Sequence, residues 1–261
     1  MISSSIGTAY VEDEKDRTYL QTLYANWGTV LTMALVVVWG GIYVFLFLVV
    51  HVTYEQTNTF VGIVVPFLVL LGMLLWSFFL TSLTSPRPIP LQYKLTDVEW
   101  EAFERLVESP STQEEFVSRL VSERQLFMMG PNRQINVCRS CRQLKPDRTH
   151  HCRRCKMCVM RMDHHCPWFN NCIHFHNYHS FFCTLFYTGL TFAYVVVTVL
   201  LFYTIKFKWQ LSSLAYYEPV LILVAVSTLC CLMVMSFFFY HMYLSAKNRT
   251  HIENLSSDQK Q

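Results

Sequence analysis

A stretch of 35 residues near the middle of the chain carries most of its reactive side chains. Between Cys138 and Cys172 lie seven of the ten cysteines, together with His150, His151, His164 and His165. Cys-x-x-Cys occurs at Cys138/Cys141 and again at Cys152/Cys155, with histidines interleaved. Thiolate and imidazole at such intervals suit a tetrahedral zinc ion, whereas a disulfide framework would need an oxidising compartment. Two closed sites of three thiolates and one imidazole would use six of the seven cysteines. One thiol is left over, and spacing alone does not identify it. Its neighbours point to Cys166, which follows Asp163-His164-His165. A thiol beside an imidazole backed by a carboxylate has the parts of a nucleophile, a base and an orienting acid. The alternative is a spare ligand beside a surface histidine. Cys183, Cys230 and Cys231 fall in apolar stretches and read as small buried hydrophobes.

The elements that must hold this cluster are membrane spans. Of the 261 residues, 52% are hydrophobic and 15% charged, against about 25% charged in a soluble domain. A net charge of +3 is too small for a nucleic-acid binding surface. No Asp, Glu, Lys or Arg occurs in Trp27–Val52, Thr57–Pro86, Ser180–Ile205 or Pro219–Ser245. Each stretch exceeds the roughly 20 residues that a helix needs to cross the hydrocarbon, and too little polar chain remains to cover four such helices in a soluble core. They pair as two hairpins, joined by Thr53–Gln56 and by Lys206–Glu218, and Pro66 is expected to kink the second span. Of the 21 Lys and Arg, 19 lie in the two tails and the middle segment, which predicts that these face the cytosol. Reduced thiols for zinc require the same orientation. The first 26 residues lack the basic leader of a cleavable signal peptide, so span 1 is expected to be a retained anchor.

The expected divisions are therefore a cytosolic tail (1–26), a transmembrane hairpin (27–86), an amphipathic helical segment (87–131), the cysteine-rich unit (132–179), a second transmembrane hairpin (180–245) and a short cytosolic tail (246–261). In the helical segment, Thr96-Asp-Val-Glu99 and Ser111-Thr-Gln-Glu114 read as capping boxes. Trp100, Phe103, Leu106 and Val107, then Phe116, Val117, Leu120 and Val121, follow at helical spacing. Pro110 should separate the two helices, and Gly130-Pro131-Asn132 should end the segment.

Asp163-His164-His165-Cys166-Pro167-Trp168 is preceded by Cys-x2-Cys-x9-His-Cys-x2-Cys-x2-Cys and followed by Asn170-Asn171-Cys172. This run resembles the cysteine-rich domain of the Asp-His-His-Cys protein S-acyltransferases, the palmitoyltransferases. Thr250-His251-Ile252-Glu253 resembles that family's Thr-Thr-x-Glu motif with one substitution. The resemblance implies an all-α membrane fold, a four-helix bundle with a loop-rich, two-zinc cytosolic domain between helices 2 and 3. It implies one structural zinc on Cys138, Cys141, His151 and Cys158 and another on Cys152, Cys155, His165 and Cys172. Cys166 would be the nucleophile, His164 its base and Asp163 the orienting acid. A long-chain acyl-CoA would acylate Cys166, and a cysteine of a protein substrate at the cytosolic membrane face would then take the acyl group. Eight Lys and Arg against two Asp in the cysteine-rich segment suit the CoA phosphates, with Lys145, Arg148 and His150 as expected contacts. Trp168, Phe181 and Phe182 are expected at the start of an acyl tunnel. An endomembrane location (Golgi, endoplasmic reticulum or plasma membrane) goes with the resemblance.

The chain also departs from the family pattern. Ser85-Pro86-Arg87 stands where the family has Asp-Pro-Gly, and His174 stands where it has a glycine. If that position needs glycine's backbone freedom, the histidine is strained; if not, its imidazole has a local role. Little chain follows Glu253, so a C-terminal docking element is expected to be short or missing. The rival classes fit less well. A zinc adaptor without chemistry has no use for a spare thiol after Asp-His-His. A channel or transporter would want charges inside the spans, where only His51 and His241 lie, near the ends.

Overall fold

A computed structural model describes residues 19–54, 57–107, 109–126, 136–206 and 214–258. Four long helices, α1 (Tyr19–Tyr54), α2 (Thr57–Leu83), α5 (Tyr178–Lys206) and α6 (Leu214–Ala246), carry the apolar stretches. Spans long and apolar enough to cross a membrane cover Trp27–Leu46, Val61–Leu83, Tyr178–Leu201 and Glu218–Ala246. The protein is thus multi-pass. Helix α5 packs against both α2 and α6, and α1 lies mainly against α2. Inside, Tyr43, Phe67, Val195, Val199, Val220 and Leu223 form a buried cluster. Outside, Leu35, Val38, Phe45, Trp76, Leu229 and Met233 stay exposed, as lipid-facing side chains do. Helix α2 runs unbroken past Pro66.

Between α2 and α5 come a 3-10 turn (Leu91–Tyr93), α3 (Asp97–Arg105), α4 (Pro110–Glu123) and six short strands. Helix α3 begins with the expected capping box: Thr96 caps Glu99, whose carboxylate returns to the Thr96 amide. The second expected box does not form. Pro110 occupies the first turn of α4 and Ser109 is its N-cap, so Ser111 already lies inside the helix. Proline's fixed φ favours that first position, where no N–H is needed. Arg124 ties this segment together, bonding Glu99 and the carbonyls of Gln92 and Lys94. The expected terminator Gly130-Pro131-Asn132 lies outside the described residues.

The strands pair as three antiparallel hairpins, β1–β2 (Val137–Cys138, Gln143–Leu144), β3–β4 (His150–Cys152, Met157–Val159) and β5–β6 (His164–Cys166, Asn171–Ile173). They repeat one geometry. Cys138 pairs with Gln143, Cys152 with Met157 and Cys166 with Asn171. Each loop turns on a residue with positive φ, respectively Arg142 (48°), Lys156 (52°) and Asn170 (47°).

Each hairpin meets a different part of the protein. The first packs Leu144 into the core of α3 and α4, with Trp100, Phe103, Val117 and Leu120. The second buries Cys152, Val159 and Met162 against Ile252 of the C-terminal helix α7 (His251–Asp258). The third sits on the spans, where Cys166, Phe169 and Ile173 cluster with Phe78 of α2 and Phe181 of α5.

Candidate active site and metal centres

The shared hairpin geometry sorts the cysteines. In the first two hairpins the loop presents two thiols, Cys138/Cys141 and Cys152/Cys155. The next hairpin then supplies one histidine and one cysteine from a cross-strand pair: His151 opposite Cys158, and His165 opposite Cys172. The results are two groups of four, Cys138, Cys141, His151, Cys158 and Cys152, Cys155, His165, Cys172, whose ligand atoms lie within 4.8 Å of one another. In the third hairpin, Cys166 holds the place of Cys138 and Cys152, but Phe169 stands where Cys141 and Cys155 do. No fourth hairpin follows, since the chain enters α5. Of the seven cysteines in this segment, Cys166 is therefore the one outside both groups.

The donor sets fit a tetrahedral metal ion. His151 Nδ1 lies 3.5, 3.3 and 4.0 Å from the sulfurs of Cys138, Cys141 and Cys158. His165 Nδ1 lies 3.6, 3.5 and 3.6 Å from those of Cys152, Cys155 and Cys172. Bonds of about 2.0–2.3 Å from zinc to nitrogen and sulfur imply tetrahedral edges of about 3.3–3.8 Å. None of the ten cysteines is in a disulfide.

Strand β5 points neighbouring side chains to opposite faces. His165 therefore turns to the metal group, while His164 and Cys166 share the other face. His164 Nδ1 bonds Asp163 Oδ2 at 2.7 Å, and its ring also bonds the Cys166 thiol. Asp163 is 1% exposed, and its second oxygen accepts the backbone N–H of His251 at 2.9 Å. Burial opposes ionisation of Asp163, but the His164 bond and that amide outweigh it and hold the carboxyl below its ordinary value. Burial likewise disfavours an imidazolium at His164, yet the bonds to Asp163 and Cys166 prevail and raise its pKa to about 9. The pair can hold a proton beside a thiol at neutral pH.

Sequence reasoning missed how the C-terminal motif closes this site. Thr250 and Glu253 form a capping box at the start of α7, which aims the His251 amide at Asp163. Arg148, in left-handed backbone (φ 60°), grips Glu253 with two bonds and Asn248 with two more. Expected as a CoA contact, its guanidinium is thus engaged at the α7 junction. Lys145 and His150 are half-buried, and burial, with Lys145 nearby, pulls the His150 pKa down. Of the expected tunnel aromatics, Phe181 is buried beside Cys166, Phe182 packs on Phe238, and Trp168 is half-exposed against Trp27. A cavity of about 380 Å³ lined by Arg148, Arg161, Asp163, Tyr178, Phe182 and Arg249 opens next to them. His241 was placed only near a span end. It is buried next to Asp163 and His164, and a histidine within an apolar span is the signal that could have singled it out.

The third hairpin also clasps the end of α2. Asn171 Nδ2 donates to the carbonyls of Thr81, Ser82 and Thr84 at 3.0, 3.2 and 2.8 Å. Asn177 Nδ2 reaches Thr81 O and Cys172 O, and its Oδ1 accepts the His174 amide. His174 is 2% exposed, does not have positive φ, and bonds Thr84 O through Nε2 at 3.3 Å. Of the two alternatives for His174, backbone strain is not the one found, and the imidazole has a local role.

The family described as DHHC palmitoyltransferase matches residues 131–258. Palmitoyltransferase ZDHHC20 of Homo sapiens is 36% identical over 231 residues, 88% of this chain and 63% of its own length. ZDHHC20-B of Danio rerio is 35% identical over 87% of this chain and 67% of its own, and ZDHHC15 of Rattus norvegicus 30% identical over the same shares. The chain spans 63% of the length of the first of these relatives. Since the matched region takes in all three hairpins and the C-terminal motif that closes on Asp163, the chain belongs to the DHHC palmitoyltransferase family.

Proposed function

We propose that this membrane protein is a protein S-acyltransferase. It transfers a long-chain fatty acyl group, palmitoyl foremost, from acyl-CoA to cysteine thiols of proteins facing the cytosol. One observation carries the reading: the one thiol of the cysteine-rich segment outside both metal groups is bonded to an Asp163-backed imidazole where the third hairpin rests on the spans. In the first step the Cys166 sulfur attacks the thioester carbonyl, and the CoA sulfur departs with the proton held by His164. In the second, a substrate thiol gives its proton to His164 and attacks the Cys166 thioester, which restores the free enzyme. Asp163 keeps the imidazole in register throughout.

Zinc is the ion that both donor sets suit, held by Cys138, Cys141, His151 and Cys158 and by Cys152, Cys155, His165 and Cys172. With four protein ligands each, the ions would supply structure and not Lewis acidity. The acyl chain belongs among the spans below Cys166, entering past Phe181, Phe182 and Trp168. Of the expected contacts for the CoA phosphates, Lys145 remains as the cationic one; His150 beside it could only donate as a neutral imidazole, and Arg148 would have to leave Glu253 and Asn248. Both termini and the cysteine-rich unit face the cytosol of an endomembrane compartment, which keeps the thiols reduced.

The test is incubation of the purified protein with a labelled acyl-CoA, together with zinc analysis of each preparation. Cys166→Ser should keep two zinc ions per chain and lose both self-acylation and transfer. Cys138→Ser or Cys172→Ser should lose zinc, because a closed site contributes on the order of 10 kcal/mol to folding. His164→Ala should keep zinc and slow self-acylation by about 10²–10⁴-fold. Zinc loss from Cys166→Ser with retention in Cys172→Ser would sink the assignment.

A further inference from the structure

His164 is bonded by Asp163 and Cys166 at its polar edges, and the faces of its ring are walled by other rings. Phe181 meets it edge-on at 5.5 Å between centroids, His241 lies at 5.9 Å and His251 at 6.3 Å. Both flanking imidazoles are tethered to tyrosines from the spans. Tyr178 of α5 bonds His241 Nδ1 at 3.1 Å, and Tyr240 of α6 bonds His251 Nδ1 at 2.9 Å. His241 is the more constrained of the two. It is 1% exposed and packed edge-to-face on Phe181 and Phe237, at 5.0 and 4.5 Å. One of its ring nitrogens lies within 4.8 Å of ligand atoms of both Asp163 and His164. Its Nε2 is buried and has no hydrogen-bond partner among the described residues.

A buried ring nitrogen without a partner is costly inside an apolar bundle and calls for an explanation. A phenylalanine would fill the same space without that cost, but it could not form the Tyr178 side-chain bond that fixes the ring plane. We propose that His241 is a positioning residue. Tethered by Tyr178, it holds the His164 imidazole in the plane that Asp163 and Cys166 require, from the side of the bundle that neither of them covers. It touches neither acyl donor nor acceptor, and acts through His164. The inference rests on the reading of Cys166 as nucleophile and His164 as its proton carrier.

Its test uses the full chain in detergent or bilayers, with labelled acyl-CoA, comparing His241→Phe, His241→Asn and Tyr178→Phe with wild type. His241→Phe should keep two zinc ions per chain and lower kcat by about 10–100-fold, the effect of misplacing a catalytic group by about 1 Å. KM for acyl-CoA should move by no more than about twofold, since uniform binding is untouched. His241→Asn, whose amide can still bond the Tyr178 hydroxyl as donor or acceptor, should recover most of the loss. Tyr178→Phe should lower kcat in the same direction. The double variant Tyr178→Phe/His241→Phe should be no worse than His241→Phe alone, as expected when two residues act through one contact. If His241→Phe folds poorly, Tyr178→Phe still decides the matter through its kcat. Wild-type kcat per folded, zinc-loaded enzyme in His241→Phe or in Tyr178→Phe would overturn the inference. A wild-type protein that forms no acyl-enzyme at Cys166 would instead overturn the reading beneath it.

Discussion

At the scale of single residues, a strand's two-residue period divides the labour of Asp163-His164-His165-Cys166. The odd position of β5, His165, faces a metal-binding group, while the even positions, His164 and the proposed nucleophile Cys166, share the other face, so adjacent histidines have different surroundings. The sequence allowed the thiols to be counted, and the neighbours of Cys166 made it the suspect. It could not show the reason, which is that Phe169 replaces the loop's second cysteine and no later hairpin offers a histidine and cysteine. The His164 pKa has a consequence for stability. A group raised from 6.5 to about 9 stabilises the folded state fully below its unfolded pKa, and that contribution disappears as the pH rises through its folded pKa. Thermal melts of wild type should therefore lose ground against His164→Phe between about pH 6.5 and pH 9. A gap that does not change across that interval would mean that His164 is not held as an imidazolium.

At the scale of elements, the unsatisfied carbonyls at the end of a helix must find donors, and those of α2 find them in the third hairpin and its exit. Nothing in the sequence pairs Thr81, Ser82 and Thr84 with Asn171, Asn177 and His174, because the contacts span some ninety residues. The spans and the first capping box were legible because both are local patterns, of hydropathy and of spacing. The second box failed because Pro110 is itself a good helix opener and moves the N-cap to Ser109. Asn171→Asp keeps the side-chain shape but turns a donor into an acceptor facing carbonyl oxygens. It should cost about 1–3 kcal/mol of stability and detach Cys166 from the spans, reducing acyl-enzyme formation. His174→Gly should also be weaker than wild type, since it empties a buried site and the backbone there gains nothing from glycine. Unchanged melting and acylation in both variants would remove the clasp from the account.

At the scale of the whole molecule, the three hairpins bind one each to the amphipathic helices, the C-terminal helix and the spans, so the cysteine-rich unit is a joint among all other parts. The family resemblance was legible in the motif; this distribution was not, since no motif marks Leu144 or Ile252. The orientation can be read out chemically. Asn248-Arg-Thr250 and Asn254-Leu-Ser256 are acceptor sequons for N-glycosylation, and with the C-terminal tail in the cytosol both stay unmodified in cells. A glycan on either, detected by a mass shift that a glycosidase removes, would reverse the proposed topology. The chain of hairpins also has a direction. The second and the third each hand a histidine and a cysteine back to the loop before and never forward, so no site waits for residues beyond its successor. During translation the first group is complete once Cys158 has left the ribosome and the second once Cys172 has. Both moments precede Tyr178, where α5 begins. Metal loading therefore need not await insertion of the last two spans, and the nascent chain can carry Cys166 already seated when those spans arrive to close over it.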